Sequence, residues 1–452
     1  MGGIIGSGIF INPYVVARQV HTPGLILGAW AIGGMIALAG AFIYAELADR
    51  RPEVGGQYAY LRDAYHPAVA FLYGWVLLLV IQTGGMAAVA VTFAAYFLEL
   101  THVPISPSAV AVLVLAGLGA VNCLGLRAGS SVQSGLMVLK ILAIAALVAG
   151  GGWYLAVHGG ARPPASPPPP ASPMAMGVFP AMAAAMVPVL FAYGGWQTAN
   201  FIAEEIREPR VNLPRALLLG VGGVVVLYLS VNFVSVAVLG PVDLAKSMTP
   251  ASSVMSRAFG AAGSRWIAVG IAISALGFLS QSILTAPRVY YAMARDGVFF
   301  RSVGWLDPRH GVPSVAILLQ AAMACVIALS GRYDQILSYV VSMDFLFFGL
   351  TATCLFVFRR REKREGAAPG PPSAGLGRVP GHPVTTVLFI AVSWIIVLST
   401  ILKYPANTAI GMGILAAGAP AYFLWKRRRP HPPSPSPGGD GKGGEASGAS
   451  TE

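Results

Sequence analysis

Lys140 is the residue whose chemistry most needs an explanation. It is a single charge within an otherwise apolar stretch, residues 136–148. A lysine at the centre of a membrane helix costs roughly 2.5–3.5 kcal/mol, so it must face the interior of a helix bundle and find acceptors there. A snorkelling lysine would need a helix end within reach, whereas apolar residues continue past Lys140 towards Trp153. We therefore predict carbonyl and hydroxyl partners for this amine, supplied by other segments.

Two glycine-rich segments could bind a small molecule through their backbone. They are residues 2–10 (GGIIGSGIF) and 191–200 (FAYGGWQTAN). If a helix unwinds there, the amide N–H groups that begin the following half-helix favour a carboxylate, and the carbonyl oxygens that end the preceding one favour an ammonium. A zwitterionic α-amino acid offers both charges in one small headgroup. Gln197 follows the second break and is a further candidate pocket residue.

Membrane helices must position these segments. Of the 452 residues, 56% are hydrophobic and only 11% are charged, whereas a soluble domain carries about 25% charged residues. The pattern predicts an all-α polytopic membrane protein with about twelve spans, each near the ~20 residues that cross a bilayer except for a short first one. The predicted spans are 1–17, 23–48, 67–98, 107–126, 132–157, 179–205, 213–240, 264–290, 312–331, 335–358, 383–402 and 405–425.

The distribution of positive charge predicts the topology. The net charge is +12, and of the 30 lysines and arginines, 22 fall in connections on one face and seven on the other, with Lys140 inside a span. The positive-inside rule makes the richer face cytoplasmic, with both termini on that side of the cell membrane. The excess basicity is therefore topological. It argues against a nucleic-acid partner and makes the lipid bilayer the expected surrounding.

The positions of the two glycine breaks predict an inverted repeat. They lie in spans one and six, which are corresponding positions of two five-span halves. Such paired interruptions are typical of transporters whose site lies at the repeat interface. We expect one transmembrane domain over 1–427, with repeats at about 1–157 and 179–358 and extra spans at about 383–425. Residues 428–452 have the polar composition of a disordered cytoplasmic tail.

These motifs resemble the amino acid–polyamine–organocation (APC) superfamily, and most closely the L-type amino-acid transporter light chains and their bacterial relatives. The likeness rests on residues 4–10 (IIGSGIF), 44–47 (YAEL), 191–196 (FAYGGW) and 204–216 (EEIREPRVNLPRA), and it extends from residue 2 to about 425. The resemblance implies a LeuT-type fold of two inverted five-span repeats, with spans one and six unwound, that works by alternating access.

The resemblance also implies a set of substrate contacts. Backbone and hydroxyl groups of the first break would bind a substrate carboxylate, and the break in span six would receive the ammonium, with a phenylalanine ring as a gate. The implied residues are Ile4, Ile5, Ser7 and Gly8 in the first segment and Phe191, Ala192 and Gly194 in the second, with Phe191 as the gate.

Lys140 falls where sodium-independent members of the superfamily carry a lysine in span five. The resemblance implies that its ammonium replaces the structural sodium ion of sodium-coupled relatives and bridges spans one and eight. The implied partner on span eight is Ser280 or Ser282. Sodium-independent transport is the corresponding expectation.

The chain departs from the family pattern in two places. About seven residues precede the first break, where the family has a complete half-helix, so the first half-helix is apparently truncated and we expect further apolar helix upstream of Met1. The connection over 99–107 has no cysteine, whereas animal light chains use one there to link a glycoprotein heavy chain. We therefore expect a stand-alone carrier with no disulfide-linked heavy chain.

Asp344 is a second charged residue at membrane depth. It lies fifteen residues before Arg359, about four helical turns into the bilayer. Intramembrane acids are functional by default, and here the functional interpretations are a contact with the substrate side chain and a protonatable coupling group. The alternative is a structural acid that hydrogen-bonds neighbouring helices.

Together these features favour a secondary transporter of amino acids, either an exchanger or a proton-coupled carrier. The mostly small and apolar pocket segments favour neutral L-amino acids, while Asp344 keeps a cationic amino acid or a polyamine open. A nutrient sensor with a carrier fold but no flux is the alternative from another class. An enzyme is disfavoured, since all seven histidines fall in loops or span ends and no HExxH or GxSxG motif occurs. We expect no cofactor and no metal site.

Overall fold

The chain forms a bundle of α-helices in a computed structural model that describes residues 1–124, 126–159, 177–330, 333–365 and 378–427. No β-strand occurs within these ranges. The predicted tail, 428–452, lies outside the described residues.

Nine helices within the described ranges are long and apolar enough to cross a membrane. They match nine of the twelve predicted spans, and two shorter apolar helices, Pro107–Cys123 and Ser314–Leu329, match spans four and nine. The short first span is the helix Gly8–Val20. The prediction of an all-α polytopic membrane protein is confirmed.

The first half of the chain contains five spans and one short connecting helix. Span three is a continuous rod with a π-helical turn in its middle. The bounds are α1 (Gly8–Val20), α2 (Pro23–Arg50), α3 (Gln57–Ala64), α4 (Pro67–Val76), the π turn (Leu77–Ile81), α5 (Gln82–Thr101), α6 (Pro107–Cys123) and α7 (Leu126–His158).

The second half begins with the interrupted span six and ends with two further spans. Span six is an α-helix followed by a 3-10 helix. The bounds are α8 (Val178–Tyr193), the 3-10 helix (Trp196–Glu205), α9 (Pro209–Lys246), α10 (Pro250–Thr285), α11 (Pro287–Arg295), a 3-10 turn (Arg301–Gly304), α12 (Ser314–Ser330), α13 (Tyr333–Arg364), α14 (Val384–Lys403) and α15 (Pro405–Arg427).

Local sequence signals explain where several of these helices begin. Proline occupies the first turn of α2 and α6, where its missing N–H costs nothing. The preceding Thr22 accepts a hydrogen bond from the amide of Leu25 at 3.4 Å, and Ser106 accepts one from Ala109 at 3.2 Å. These are side-chain caps, so the helix boundaries follow directly from the sequence.

Helix packing brings the two glycine breaks together. The helix after the first break, α1, packs against α8, the helix before the second break. The Nδ2 of Asn12 in α1 donates to the carbonyl oxygen of Pro188 in α8 at 2.7 Å. Helix α10 packs against α5 and α7, and α2 packs against α9. The interrupted spans therefore run side by side, with the long spans around them.

Candidate functional site

The first break is an irregular segment, residues 1–7, that leads into α1. The amides of Ile4 and Ile5 donate to the carbonyl oxygen of Met1 at 3.0 and 3.1 Å. Both amides are therefore hydrogen-bonded within the first segment. The hydroxyl of Ser7 is buried and has no hydrogen-bond partner among the described residues. Gly8 opens α1, so its amide is one of the unpaired donors of a helix N-terminus.

The second break separates α8 from the 3-10 helix at Gly194 and Gly195. Gly195 has φ +94°, a left-handed conformation that favours glycine. A Cβ atom there would lie 1.9 Å from the carbonyl oxygen of Gly3, so the two breaks touch through their backbones. Gln197 and Thr198 hold the turn, with Oε1 accepting from the Gly195 amide at 3.0 Å and Oγ1 donating to the Gly195 carbonyl at 2.7 Å.

Tyr228 in α9 joins the two breaks. Its buried hydroxyl lies 3.1 Å from the carbonyl oxygen of Ile4 and 3.2 Å from that of Ala192. The hydroxyl carries one proton, so it donates to one of these oxygens at a time. Sequence reasoning missed this residue, because a tyrosine in an apolar span is as typical of packing as of a polar role.

Lys140 in α7 reaches the first break. Its Nζ donates to the carbonyl oxygen of Ile5 at 2.8 Å and to that of Gly2 at 3.2 Å, and the residue is fully buried. The predicted carbonyl partners are therefore present. On α10, a Cβ atom at Gly277 would lie 3.2 Å from the Lys140 Cε, and the hydroxyl of Ser274 donates to the carbonyl oxygen of Gly6 at 3.3 Å.

The implied span-eight partners of this amine, Ser280 and Ser282, are not among its hydrogen-bond partners. The lysine meets α10 at the level of Gly277. Ser280 lies one turn farther along the helix, and Ser282 lies about 140° around it, where it lines the central cavity. The serine of α10 that binds the first segment is Ser274, so the implied register differs from the observed one by about two turns.

A cavity of about 60 Å³ lies between the two breaks, and spans one, three, six, eight and ten line it. Eight predicted site residues border it: Ile4, Gly8, Phe191, Ala192, Gly194, Gln197, Ser282 and Asp344. Four others, Ile5, Ser7, Lys140 and Ser280, do not border it; all four are buried. Lining residues that sequence reasoning missed include Gly3, Gln82, Thr198 and Phe278.

Asp344 in α13 borders this cavity. The residue is 9% exposed, and no hydrogen bond or ion pair within the described part of the chain engages its carboxylate. Gln82 borders the same cavity and follows directly on the π turn of span three. Thr83 holds that turn through a 2.7 Å hydrogen bond to the carbonyl oxygen of Leu78. Single π turns occur frequently at functional sites.

Ion pairs connect the helices at one end of the bundle. The carboxylate of Glu46 in α2 accepts from the Nε and Nη2 of Arg359 in α13 at 2.8 and 2.7 Å, from Arg50 at 2.8 Å and from the amide of Val379 at 2.8 Å. Glu46 is 1% exposed. The Glu46 carboxylate therefore joins span two to span ten and to the segment before span eleven. This is a structural role for the glutamate of the 44–47 motif.

A second set of polar contacts at this end joins α3 to the end of span eight. It also joins span eight to span six. Asp296, just after α11, accepts from the hydroxyl of Tyr58 at 2.8 Å and from Arg62 at 3.0 Å. Burial, and then the charge of Asp296, raises the pKa of Tyr58, so its hydroxyl stays protonated and donates. Arg288 pairs with Glu205 at the end of span six at 2.9 Å.

Comparison with known proteins gives consistent matches. The model of the amino acid permease family matches residues 1–420. The serine/threonine exchanger SteT of Bacillus subtilis is 29% identical over 95% of this chain and 95% of its own length. The human b(0,+)-type amino acid transporter 1 is 30% identical over 80% of this chain and 74% of its length. The human large neutral amino acids transporter small subunit 2 is 28% identical over 94% of this chain and 78% of its own length.

Proposed function

The chain belongs to the amino acid permease family, and we propose that it is a sodium-independent exchanger of neutral L-amino acids. Membership makes it a multi-pass membrane transporter of amino acids and not an enzyme. Alternating access would be carried by two five-span repeats, at about 1–157 and 179–358. We place both termini in the cytoplasm and the protein in the cell membrane, on the basis of the asymmetry of positive charge.

The observation that carries the proposal is the contact between two interrupted spans beside one cavity. We assign the substrate carboxylate to the amide of Gly8, a residue that borders the cavity. The unpartnered hydroxyl of Ser7, which is buried behind the cavity lining, would be the second donor once the segment opens. The ammonium is assigned to the carbonyls of Phe191 and Ala192. The Phe191 carbonyl accepts from the Gly194 amide, and the Ala192 carbonyl is one of the two acceptors of the Tyr228 hydroxyl. A carbonyl oxygen has two lone pairs, so it can accept from a substrate ammonium as well. The Phe191 ring would cover the bound substrate.

Lys140 supports sodium independence. Its ammonium lies against two carbonyl oxygens of the first break, and such oxygens are ligands that a hard cation also prefers. A fixed ammonium in this position would bind the same carbonyl oxygens that a structural sodium ion would bind. Transport would then require no sodium gradient.

The relatives and the cavity walls support neutral substrates and exchange. One relative is named as a serine/threonine exchanger and another as a transporter of large neutral amino acids. Apolar side chains, among them Ile81, Val89 and Phe345, form much of the cavity wall. Because the connection 99–107 has no cysteine, we propose that the carrier works without a disulfide-linked heavy chain.

Uptake into proteoliposomes tests this function. Purified protein is reconstituted with or without an excess of unlabelled amino acid inside the vesicles. Influx of labelled amino acid is then followed in sodium and in choline buffer. We expect influx of labelled neutral amino acids that requires internal amino acid and is equal in the two buffers. Influx that collapses in choline would refute sodium independence. Saturable binding without influx would identify a sensor instead.

A further inference from the structure

Asp344 places a carboxylate at the wall of the substrate cavity. No basic side chain borders this cavity in the described part of the chain, and Lys140 is engaged elsewhere by the carbonyls of Gly2 and Ile5. A buried carboxylate without hydrogen-bond donors is costly. Tyr44 and Tyr73 lie close enough to interact electrostatically with it, but no described residue donates a hydrogen bond to it. The position is therefore suited to a donor that arrives with a ligand.

Gln82 gives this part of the wall a second polar group. It is 7% exposed, borders the cavity and lies directly after the π turn. A π turn inserts an extra residue into a helix and so rotates the residues that follow. The carboxamide of Gln197 holds a backbone turn, whereas no hydrogen bond within the described ranges engages that of Gln82. Spans three and ten, which carry the two residues, pack against each other.

A neutral amino acid with an apolar side chain would leave this carboxylate unsatisfied, because its own charges are assigned to the two breaks. A hydroxyl or ammonium on the side chain would supply the missing donor. We propose that Asp344, together with Gln82 on the wall of the same cavity, selects substrates whose side chain donates a hydrogen bond over apolar substrates of the same shape. This specificity rests on the proposed amino acid transport and narrows its substrate class.

Two pairs of nearly isosteric amino acids test the selection. Threonine and valine differ by a hydroxyl in place of a methyl group, and lysine and norleucine differ by the terminal ammonium. Inhibition constants against one accepted labelled substrate are measured in proteoliposomes for the wild type and for Asp344→Leu, Asp344→Asn and Gln82→Leu. Ser230→Ala is the matched control, since Ser230 is half-buried on α9 and its hydroxyl donates within its own helix, to the carbonyl oxygen of Val226.

The wild type and the control should prefer the donor-bearing member of at least one pair about tenfold to a hundredfold, as expected for a hydrogen bond to a charged group. Asp344→Leu should abolish that preference, and Gln82→Leu should reduce it. Asp344→Asn distinguishes a hydroxyl donor, as in threonine, from an ammonium donor, as in lysine. It keeps an acceptor oxygen and should retain part of a threonine preference, but it removes the negative charge and should lose a lysine preference.

Equal affinity within both pairs in the wild type would overturn the inference, and so would an unchanged preference in Asp344→Leu. Should Asp344→Leu fail to fold, the near-isosteric Asp344→Asn decides: an undiminished preference for threonine and for lysine there refutes a role for the carboxylate. If amino acids compete but do not discriminate within the pairs, only this inference fails. If no amino acid competes with the wild type, the proposed function fails and this specificity with it.

Discussion

The ammonium of Lys140 lies 2.8 Å from the carbonyl oxygen of Ile5, so a side chain of span five is joined to the unwound backbone of span one. The same segment is held by the hydroxyl of Ser274 from span eight, through the carbonyl oxygen of Gly6. These two contacts tie the first break to the long helices around it. The ammonium is thereby bound to the backbone of the segment that forms one side of the proposed substrate site.

Replacement of Lys140 by alanine should reduce transport at least tenfold. The carbonyls of Gly2 and Ile5 would lose their donor, and an unsatisfied buried acceptor costs about 1–3 kcal/mol. Substrate affinity should fall less, because Lys140 does not border the cavity. The measurement is initial uptake rate and affinity in proteoliposomes, with Lys246→Ala, a change at an exposed lysine, as the control. Uptake at the wild-type rate in Lys140→Ala would contradict the bridging role.

Much of this arrangement could be predicted from the sequence. A lone lysine in an apolar span had to find internal oxygen acceptors, and the two glycine breaks lay in spans one and six. The signals were strong because charge and unpaired backbone are both expensive in a membrane. The depth of Asp344 favoured either a functional acid or a structural one, and the residue borders the cavity.

The side chains that complete the site could not be predicted. The lipid-facing and protein-facing sides of a membrane helix are both apolar, so the sequence of α10 does not reveal whether Ser274 or Ser280 faces span one. Gln82 was missed because the π turn that precedes it rotates the helix face and has no clear sequence signature. Tyr228 was missed because its two acceptors belong to segments that are distant in sequence and meet only in the folded bundle.

Gly195→Ala should abolish substrate binding. The residue has φ +94°, and a Cβ atom there would lie 1.9 Å from the carbonyl oxygen of Gly3, so the two breaks would be forced apart. Gly222→Ala is the matched control, because a Cβ atom at Gly222 in α9 meets nothing within 4 Å. Substrate-dependent thermal stabilisation of the detergent-purified proteins measures binding. Equal stabilisation of both variants by substrate would show that the contact between the breaks is dispensable.

Glu46→Gln should lower the stability of the protein by about 3 kcal/mol, the lower end of the range for breaking a buried ion pair. Glu46 accepts from both Arg359 and Arg50 and from the amide of Val379, and a glutamine offers one acceptor oxygen and turns an N–H₂ donor towards the guanidinium groups. Arg359 is partly exposed, with a side-chain exposure of 28%, and solvent moderates the loss.

Glu362→Gln provides the comparison for this network. Glu362 also pairs with Arg50, but its side chain is 37% exposed, and exposed pairs contribute about 0–1 kcal/mol. Thermal unfolding of the purified variants should therefore show a large fall in Tm for Glu46→Gln and a small one for Glu362→Gln. Similar shifts for the two variants would mean that burial of Glu46 adds nothing to the pair.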